Sequence, residues 1–187
     1  MRWPTLGLGP TRGCATLSRV DDLATESILY DGHYLKNQEF LGCTFSFALS
    51  APPIGRITVE FLTPTELKSE GAVVLQPEFS VLLARLRDRI SNLRGLYQGG
   101  ALEIDFGTLR REAEKIRIVR SNLRQVQAER LSSRTGQRHP LGGLVGDVEY
   151  AGELSSFLPF LRAGQWTGVG RQTVWGKGVL KVRGEGT

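Results

Sequence analysis

Residues 56–62, RITVEFL, and residues 77–97, PEFSVLLARLRDRISNLRGLY, set the architecture of this chain. In the first, Ile57, Val59 and Phe61 alternate with Thr58 and Glu60, the two-residue period of a half-buried strand. Thr63-Pro64-Thr65 ends it. In the second, Phe79, Leu82, Leu83, Leu86, Ile90, Leu93 and Tyr97 follow the helical period and make one apolar stripe. Arg85, Arg87, Asp88 and Arg89 point elsewhere. Pro77 suits the first helical turn, and Gly99-Gly100 stops the pattern.

A second, weaker helix spans Phe106 to Lys115. Residues 116–128 read as a long strand rich in Ile, Val and Arg, and residues 132–140 as a loop. Leu144, Gly146, Val148 and Tyr150 then alternate with Val145, Asp147 and Glu149, again a strand. Gly152 turns the chain into a short helix with Ser155 or Ser156 as N-cap, Pro159 in its first turn and Gly164 at its C-cap. Leu154, Phe157, Leu158 and Leu161 form its apolar face. A final strand runs from Val179 to Val182. The order from residue 56 is strand, helix, strand, strand, helix, strand. That is an α+β, ferredoxin-like sandwich of the RNA-recognition type: an antiparallel sheet with two helices on one face and the other face open to a ligand. Upstream, CATLSRV, ESILYDG and LGCTFSFAL have strand composition, and Pro52-Pro53 close them off. The expected division is a strand-rich N-terminal region, 1–55, and a ferredoxin-like domain, 56–187.

The 187 residues are 40% hydrophobic and 23% charged, which suits a chain with a packed core and excludes a disordered one. No apolar run approaches a membrane span, and the first residues lack the apolar core of a signal peptide. A soluble cytoplasmic protein is expected. Cys14 and Cys43 are isolated, which speaks against a disulfide framework or zinc site, and no metal or cofactor is expected. Asp147 and Glu149 share a strand face and read as solvated carboxylates rather than a magnesium site. The net charge is +5, and 19 of the 24 basic residues are Arg. Nine basic residues against three acidic ones fall between Arg110 and Arg138, so this segment carries the positive field. Arg120 and Arg124 lie within it. A concentrated arginine field attracts a polyanion such as nucleic acid.

Residues 168–178, GVGRQTVWGKG, are the most distinctive stretch. Gly168, Gly170, Gly176 and Gly178 permit tight turns and close backbone approach. Arg171, Gln172 and Lys177 lie among them, and Trp166 and Trp175 are near. Backbone amides and cations suit phosphate, and a ring suits a base. A dinucleotide fingerprint fails because Thr173 stands where the third glycine belongs, and a phosphate-binding P-loop fails because Gly178 follows Lys177.

Residues 131–182 resemble the C-terminal half of CRISPR repeat-processing endoribonucleases of the RAMP superfamily. An Arg- and Ser-containing loop precedes LGGLVG (141–146), a strand and helix follow, and the glycine-rich loop leads into a last strand. FLTPTELK (61–68), LRDRISNLRGLY (86–97) and GLGPTRGCATLSRV (7–20) add to the likeness. The resemblance implies ferredoxin-like domains, usually two, that bind the repeat of a precursor CRISPR RNA and cut it once without metal. It makes the four glycines the supporting loop, and Arg171 and Lys177 RNA contacts. Arg134 and Arg138 fall in the matching loop and join them. Many members cut with a histidine in an N-terminal domain, of which residues 1–55 are a partial or accessory version.

Such cleavage uses the neighbouring 2′-hydroxyl as nucleophile and needs a base, an acid and cations at the phosphate. Histidine suits proton transfer at neutral pH. The chain has two, His139 in the basic loop and His33 in a turn, and His139 is the first candidate. Three readings stand: an endoribonuclease, an RNA-holding subunit of a CRISPR ribonucleoprotein alongside other CRISPR-associated proteins, and an interaction domain with no RNA role.

Overall fold

The computed structural model describes residues 16–22, 27–36, 53–97, 99–100, 102–132 and 135–184. The chain divides into two compact units, 1–44 and 45–187. In the first, β1 (Val20–Asp22) and β2 (Ser27–Tyr30) pair antiparallel. Cys14, Cys43 and the segment 41–49 lie outside the described residues.

The second unit contains β3 (Arg56–Thr65), a two-stranded ribbon of β4 (Lys68–Ser69) and β5 (Ala72–Val73), α1 (Phe79–Leu96), α2 (Phe106–Ala113) and β6 (Arg117–Val126). A hairpin of β7 (Glu129–Leu131) and β8 (Arg138–Pro140) follows, then β9 (Gly143–Ala151), a 3₁₀ turn (Ser155–Phe157), α3 (Leu158–Thr167) and β10 (Leu180–Gly184). The main sheet has the order β10-β3-β9-β6, with every neighbouring pair antiparallel. This is the ferredoxin-like arrangement expected from the strand and helix order.

The alternation in β3 and β9 sends Ile57, Val59, Phe61, Val148 and Tyr150 into one core with Leu82, Leu86 and Ile90 of α1 and Phe160 and Leu161 of α3. Each such side chain, fully buried, contributes about 1.5–3 kcal/mol. Phe79 stands edge-on to Tyr150 and to Phe157, with centroids 5.1 and 5.0 Å away. The Tyr150 hydroxyl donates to the Pro77 carbonyl at 2.8 Å, tying the sheet to the chain entering α1. Burial pushes the Tyr150 phenol well above its ordinary range, so it stays a donor.

Several expectations need correction. β3 continues through Pro64 to Thr65, with an irregularity in its β9 pairing; Pro is tolerated at such a break. Residues 138–140 are a strand, because the loop folds back on β7 rather than lying open. Neither Ser155 nor Ser156 caps a helix; the Ser155 hydroxyl donates to Glu153 at 2.6 Å and accepts from the Ile54 amide at 3.1 Å. Gly164 is inside α3, and the helix is terminated by Gly168, whose φ is 68°. A Cβ on Gly164 would stand 2.5 Å from Cδ2 of Leu86, so this glycine lets α1 and α3 approach.

The open face of the sheet also differs from a stacking platform. The register aligns Arg183, Thr58, Glu149 and Arg120 in one row and Lys181, Glu60, Asp147 and Asn122 in the next. A register shift between Ile118 and Arg120 turns Arg120 onto this face. Arg183 pairs with Glu60 at 2.6 Å, Arg56 with Glu149 at 3.1 Å, and Arg120 with Glu149 and Asp147 at 3.6 and 3.8 Å. Glu149 thus lies between two arginines, and Asp147 accepts from Nδ2 of Asn122 at 3.2 Å while sharing Arg120 with Glu149.

Replacing Tyr150 by Phe removes one buried hydrogen bond without changing shape. Urea unfolding of Tyr150→Phe is expected to show a loss of about 1–2 kcal/mol with an unchanged slope.

Candidate nucleic-acid interface

The glycine-rich loop leaves α3 at Gly168 and returns to the end of β3. The Val169 amide donates to the Gly178 carbonyl (2.9 Å), and the Gly178 amide reaches the Pro64 carbonyl (3.3 Å). The Arg171 amide donates to the Glu66 carbonyl (3.1 Å), and the Val179 amide to Oγ1 of Thr63 (3.0 Å). Three of the glycines are dictated by space as well as by φ. A Cβ on Gly178 would collide with the Val169 carbonyl, one on Gly170 with the Glu66 carbonyl, and one on Gly168 would crowd the Gly178 carbonyl at 3.2 Å. Gly176 has open space around it and is set by its φ of 76° alone.

Lys177 is only 5% exposed. Its ammonium donates to the Gly142 carbonyl and to Oε1 of Gln172, both at 2.8 Å. Burial pulls its pKa below the ordinary lysine value, Glu66 opposes that shift, and Arg171 adds to it. Gln172, with a left-handed φ of 62°, donates from Nε2 to the Pro140 carbonyl at 3.3 Å. Lys177 and Gln172 therefore face inward and bind the loop to the chain between β8 and β9. Arg171 is exposed and pairs with Glu66 at 2.9 Å.

These ties bring the β7–β8 hairpin to the loop. His139, on β8, is half-buried, and its ring stands 6.3 Å from that of Trp175, edge to face. Trp175 is 47% exposed and Val174 beside it 80%. Arg138 is exposed and pairs with Glu129 at 2.8 Å. Arg124 is exposed on β6 and has no ion-pair partner among the described residues. Arg134 lies outside the described residues. His33 belongs to the first unit, exposed in a turn where Oδ1 of Asp31 accepts from the His33 and Tyr34 amides. These bonds hold the Asp31 carboxyl below its ordinary range.

The arrangement is therefore a β-hairpin with a histidine, a glycine-rich loop with an exposed indole, and exposed arginines on β6, β8 and the loop. The sequence profile of the family described as CRISPR-associated endoribonuclease Cas6 matches residues 59–180, which run from β3 into β10 and include all of these elements. The chain belongs to the CRISPR-associated endoribonuclease Cas6 family.

Solved structures agree on the fold. Thermus thermophilus Cas6 superposes with a TM-score of 0.54 at 22% identity, over 71% of this chain and 55% of that one. A Cas6 product complex gives a TM-score of 0.54 at 20% identity, over 75% and 56%. A partial Cas6-RT-Cas1–Cas2 complex gives 0.50 at 16% identity, over 70% and 22%. The chain thus spans about half the length of the Cas6 structures it matches. No curated protein sequence matches it.

In this Cas6-family chain the candidates divide by geometry. Arg171, Arg138, Arg120 and Arg124 reach solvent, whereas Lys177 and Gln172 hold the scaffold. Glu66 had no signal in the sequence: its importance comes from accepting Arg171 through both backbone and side chain. The glycines are separable by experiment. Gly176→Ala costs only the left-handed strain, about 1–2 kcal/mol. Gly178→Ala adds a backbone collision and is expected to cost at least twice as much. Chemical denaturation of the two variants compares them directly.

Proposed function

We propose that this chain binds the repeat of precursor CRISPR RNA with the β7–β8 hairpin, the glycine-rich loop and the arginines of β6, and cleaves it through the 2′-hydroxyl. The observation that carries the reading is the juxtaposition of His139 and Trp175 by the inward ties of Lys177 and Gln172. Trp175 stacks on an unpaired base and so fixes the adjacent sugar. His139 takes the proton from its 2′-hydroxyl as the oxygen attacks the neighbouring phosphorus. The bond to the 5′-oxygen breaks, and that oxygen takes its proton from water. Arg171 and Arg138 each hold a carboxylate through Nη1 and meet the charge on the phosphate with their remaining N–H groups. The products are a 2′,3′-cyclic phosphate and a 5′-hydroxyl. Arg120, Arg124 and Arg134 extend the contact to neighbouring phosphates.

A second reading is favoured by one observation: the chain spans about half of the Cas6 structures it matches. On that reading it holds RNA and the proton transfers are completed by residues of another domain or partner. Residues 1–55 are then a partial or accessory region, and residues 56–187 the RNA-binding domain. One similar fold comes from a Cas6-RT-Cas1–Cas2 complex, and other CRISPR-associated proteins are proposed as partners. The proposed compartment is the cytoplasm; among the described residues no helix is long and apolar enough to cross a membrane.

One tube separates the readings. Repeat-hairpin RNA, end-labelled, is incubated with the chain in EDTA and run on native and denaturing gels. A discrete product ending in a cyclic phosphate supports cleavage, and a shifted but uncut band supports the holding role. Where cleavage is seen, His139→Ala is expected to slow it by a factor of about 10²–10⁴ with binding kept. Trp175→Ala is expected to weaken binding by about 1–3 kcal/mol. Arg171→Ala is expected to lower the slope of log affinity against log salt by about 0.7–0.9 for each phosphate that Arg171 neutralises.

A further inference from the structure

Behind the hairpin lies an open cavity of about 360 Å³, within the range of small-ligand sites. Its apolar walls are Val73, Val126, Ala128 and Pro140. Its polar groups are Glu66, Gln125, Gln127 and Glu129. Gly142 and Gly143 line it where the chain crosses from β8 to β9. Side chains are excluded from that crossing: a Cβ on Gly142 would stand 2.6 Å from the Val126 carbonyl, and one on Gly143 2.6 Å from the Thr65 backbone.

Two features make this a built site rather than a surface dent. The Pro140 and Gly142 carbonyls accept from Gln172 and Lys177 of the glycine-rich loop, neither of which lines the cavity. Both carboxylates are oriented by arginines that lie outside the lining, Glu66 by Arg171 at 2.9 Å and Glu129 by Arg138 at 2.8 Å. The lining contains no Lys or Arg, although the surrounding segment is the most basic in the chain. The lining thus offers acceptor oxygens and no cation for a phosphate. A flat group with hydrogen-bond donors on its edge suits it.

We propose that this cavity takes one unpaired guanine of the bound RNA. Its faces lie between the apolar walls, and its edge donates to a carboxylate. Guanine carries adjacent N1–H and N2–H donors, which match the two oxygens of one carboxylate. Adenine, cytosine and uracil lack that adjacent pair. A glutamine carboxamide donates to O6 on the same edge, and N7 is left unread. A polar pocket built this way rejects ligands that leave its acceptors unpaired. This inference rests on the RNA-binding reading above and adds base specificity to it.

The test uses the full chain and repeat-hairpin RNAs in which each unpaired position carries guanosine, inosine, 7-deazaguanosine or adenosine in turn. Affinity is read by filter binding. At one position, inosine, which lacks the N2 amino group, is expected to weaken binding about tenfold. 7-Deazaguanosine keeps the donor edge and is expected to bind like guanosine. Glu66→Gln and Glu129→Gln, checked for folding by thermal melts, are expected to reduce the discrimination. The wild-type analogue series stands even if a variant does not fold. RNA binding with no guanine-preferring position, or a preference untouched by both folded variants, overturns the pocket while leaving the RNA reading in place. No RNA binding at all overturns both.

Discussion

A side chain at position 178 has nowhere to go, because the Val169 carbonyl occupies its place. That close approach lets the glycine-rich loop close on itself, Val169 amide to Gly178 carbonyl, and so return to the end of β3. Once the loop is closed, Lys177 and Gln172 reach Gly142 and Pro140. Those two bonds cross from the segment before the last strand to the segment before β9. The β7–β8 hairpin, which packs little apolar surface of its own, thus gains a fixed place beside the loop. His139 and Trp175 come together as a consequence. The cost is a lysine held nearly out of water, which the carbonyl and carboxamide contacts offset.

Charge is distributed by the same logic. On the open face of the sheet, arginines and carboxylates alternate by register, and Glu149 meets both Arg56 and Arg120. Exposed pairs of this kind contribute little to stability, of the order of 0–1 kcal/mol each. Their arginines keep N–H donors through which a phosphate is met without giving up the carboxylate. Arg138 sits in such an exposed pair with Glu129, whereas Arg171 holds Glu66, whose side chain is only 13% exposed. The sheet face carries charged pairs along its two central rows where RNA-recognition sheets offer stacking rings. Among the described residues the indole of the glycine-rich loop, not the sheet, offers a ring beside the candidate histidine.

The fold was largely legible in the sequence because its signals are local and periodic. Ile57, Val59 and Phe61 reveal their shared face through spacing alone, as do Leu82, Leu86 and Ile90. Helix ends were less legible. Gly164 has the residue type of a cap, yet its reason is the Leu86 side chain of another helix, 78 positions earlier. The true cap, Gly168, was visible as a glycine of the loop but not as the end of α3. Arg171, Gln172 and Lys177 look equivalent in sequence, three polar side chains among glycines. The structure separates one outward-facing arginine from two inward-facing anchors.

Strand and helix order, the apolar faces, the basic segment and the glycine pattern are all written in the linear chain, and the family profile matches that chain over residues 59–180. Each depends on residue type and on spacing within a single element. The meeting of His139 with Trp175, the anchoring role of Lys177 and the orientation of Arg171 by Glu66 emerge only in three dimensions. So does the acceptor-lined cavity behind the hairpin. Those facts are contacts between segments 35 to 105 residues apart. No local period encodes them, because they arise when the chain reversals at the glycines bring separate carbonyls within reach of one side chain.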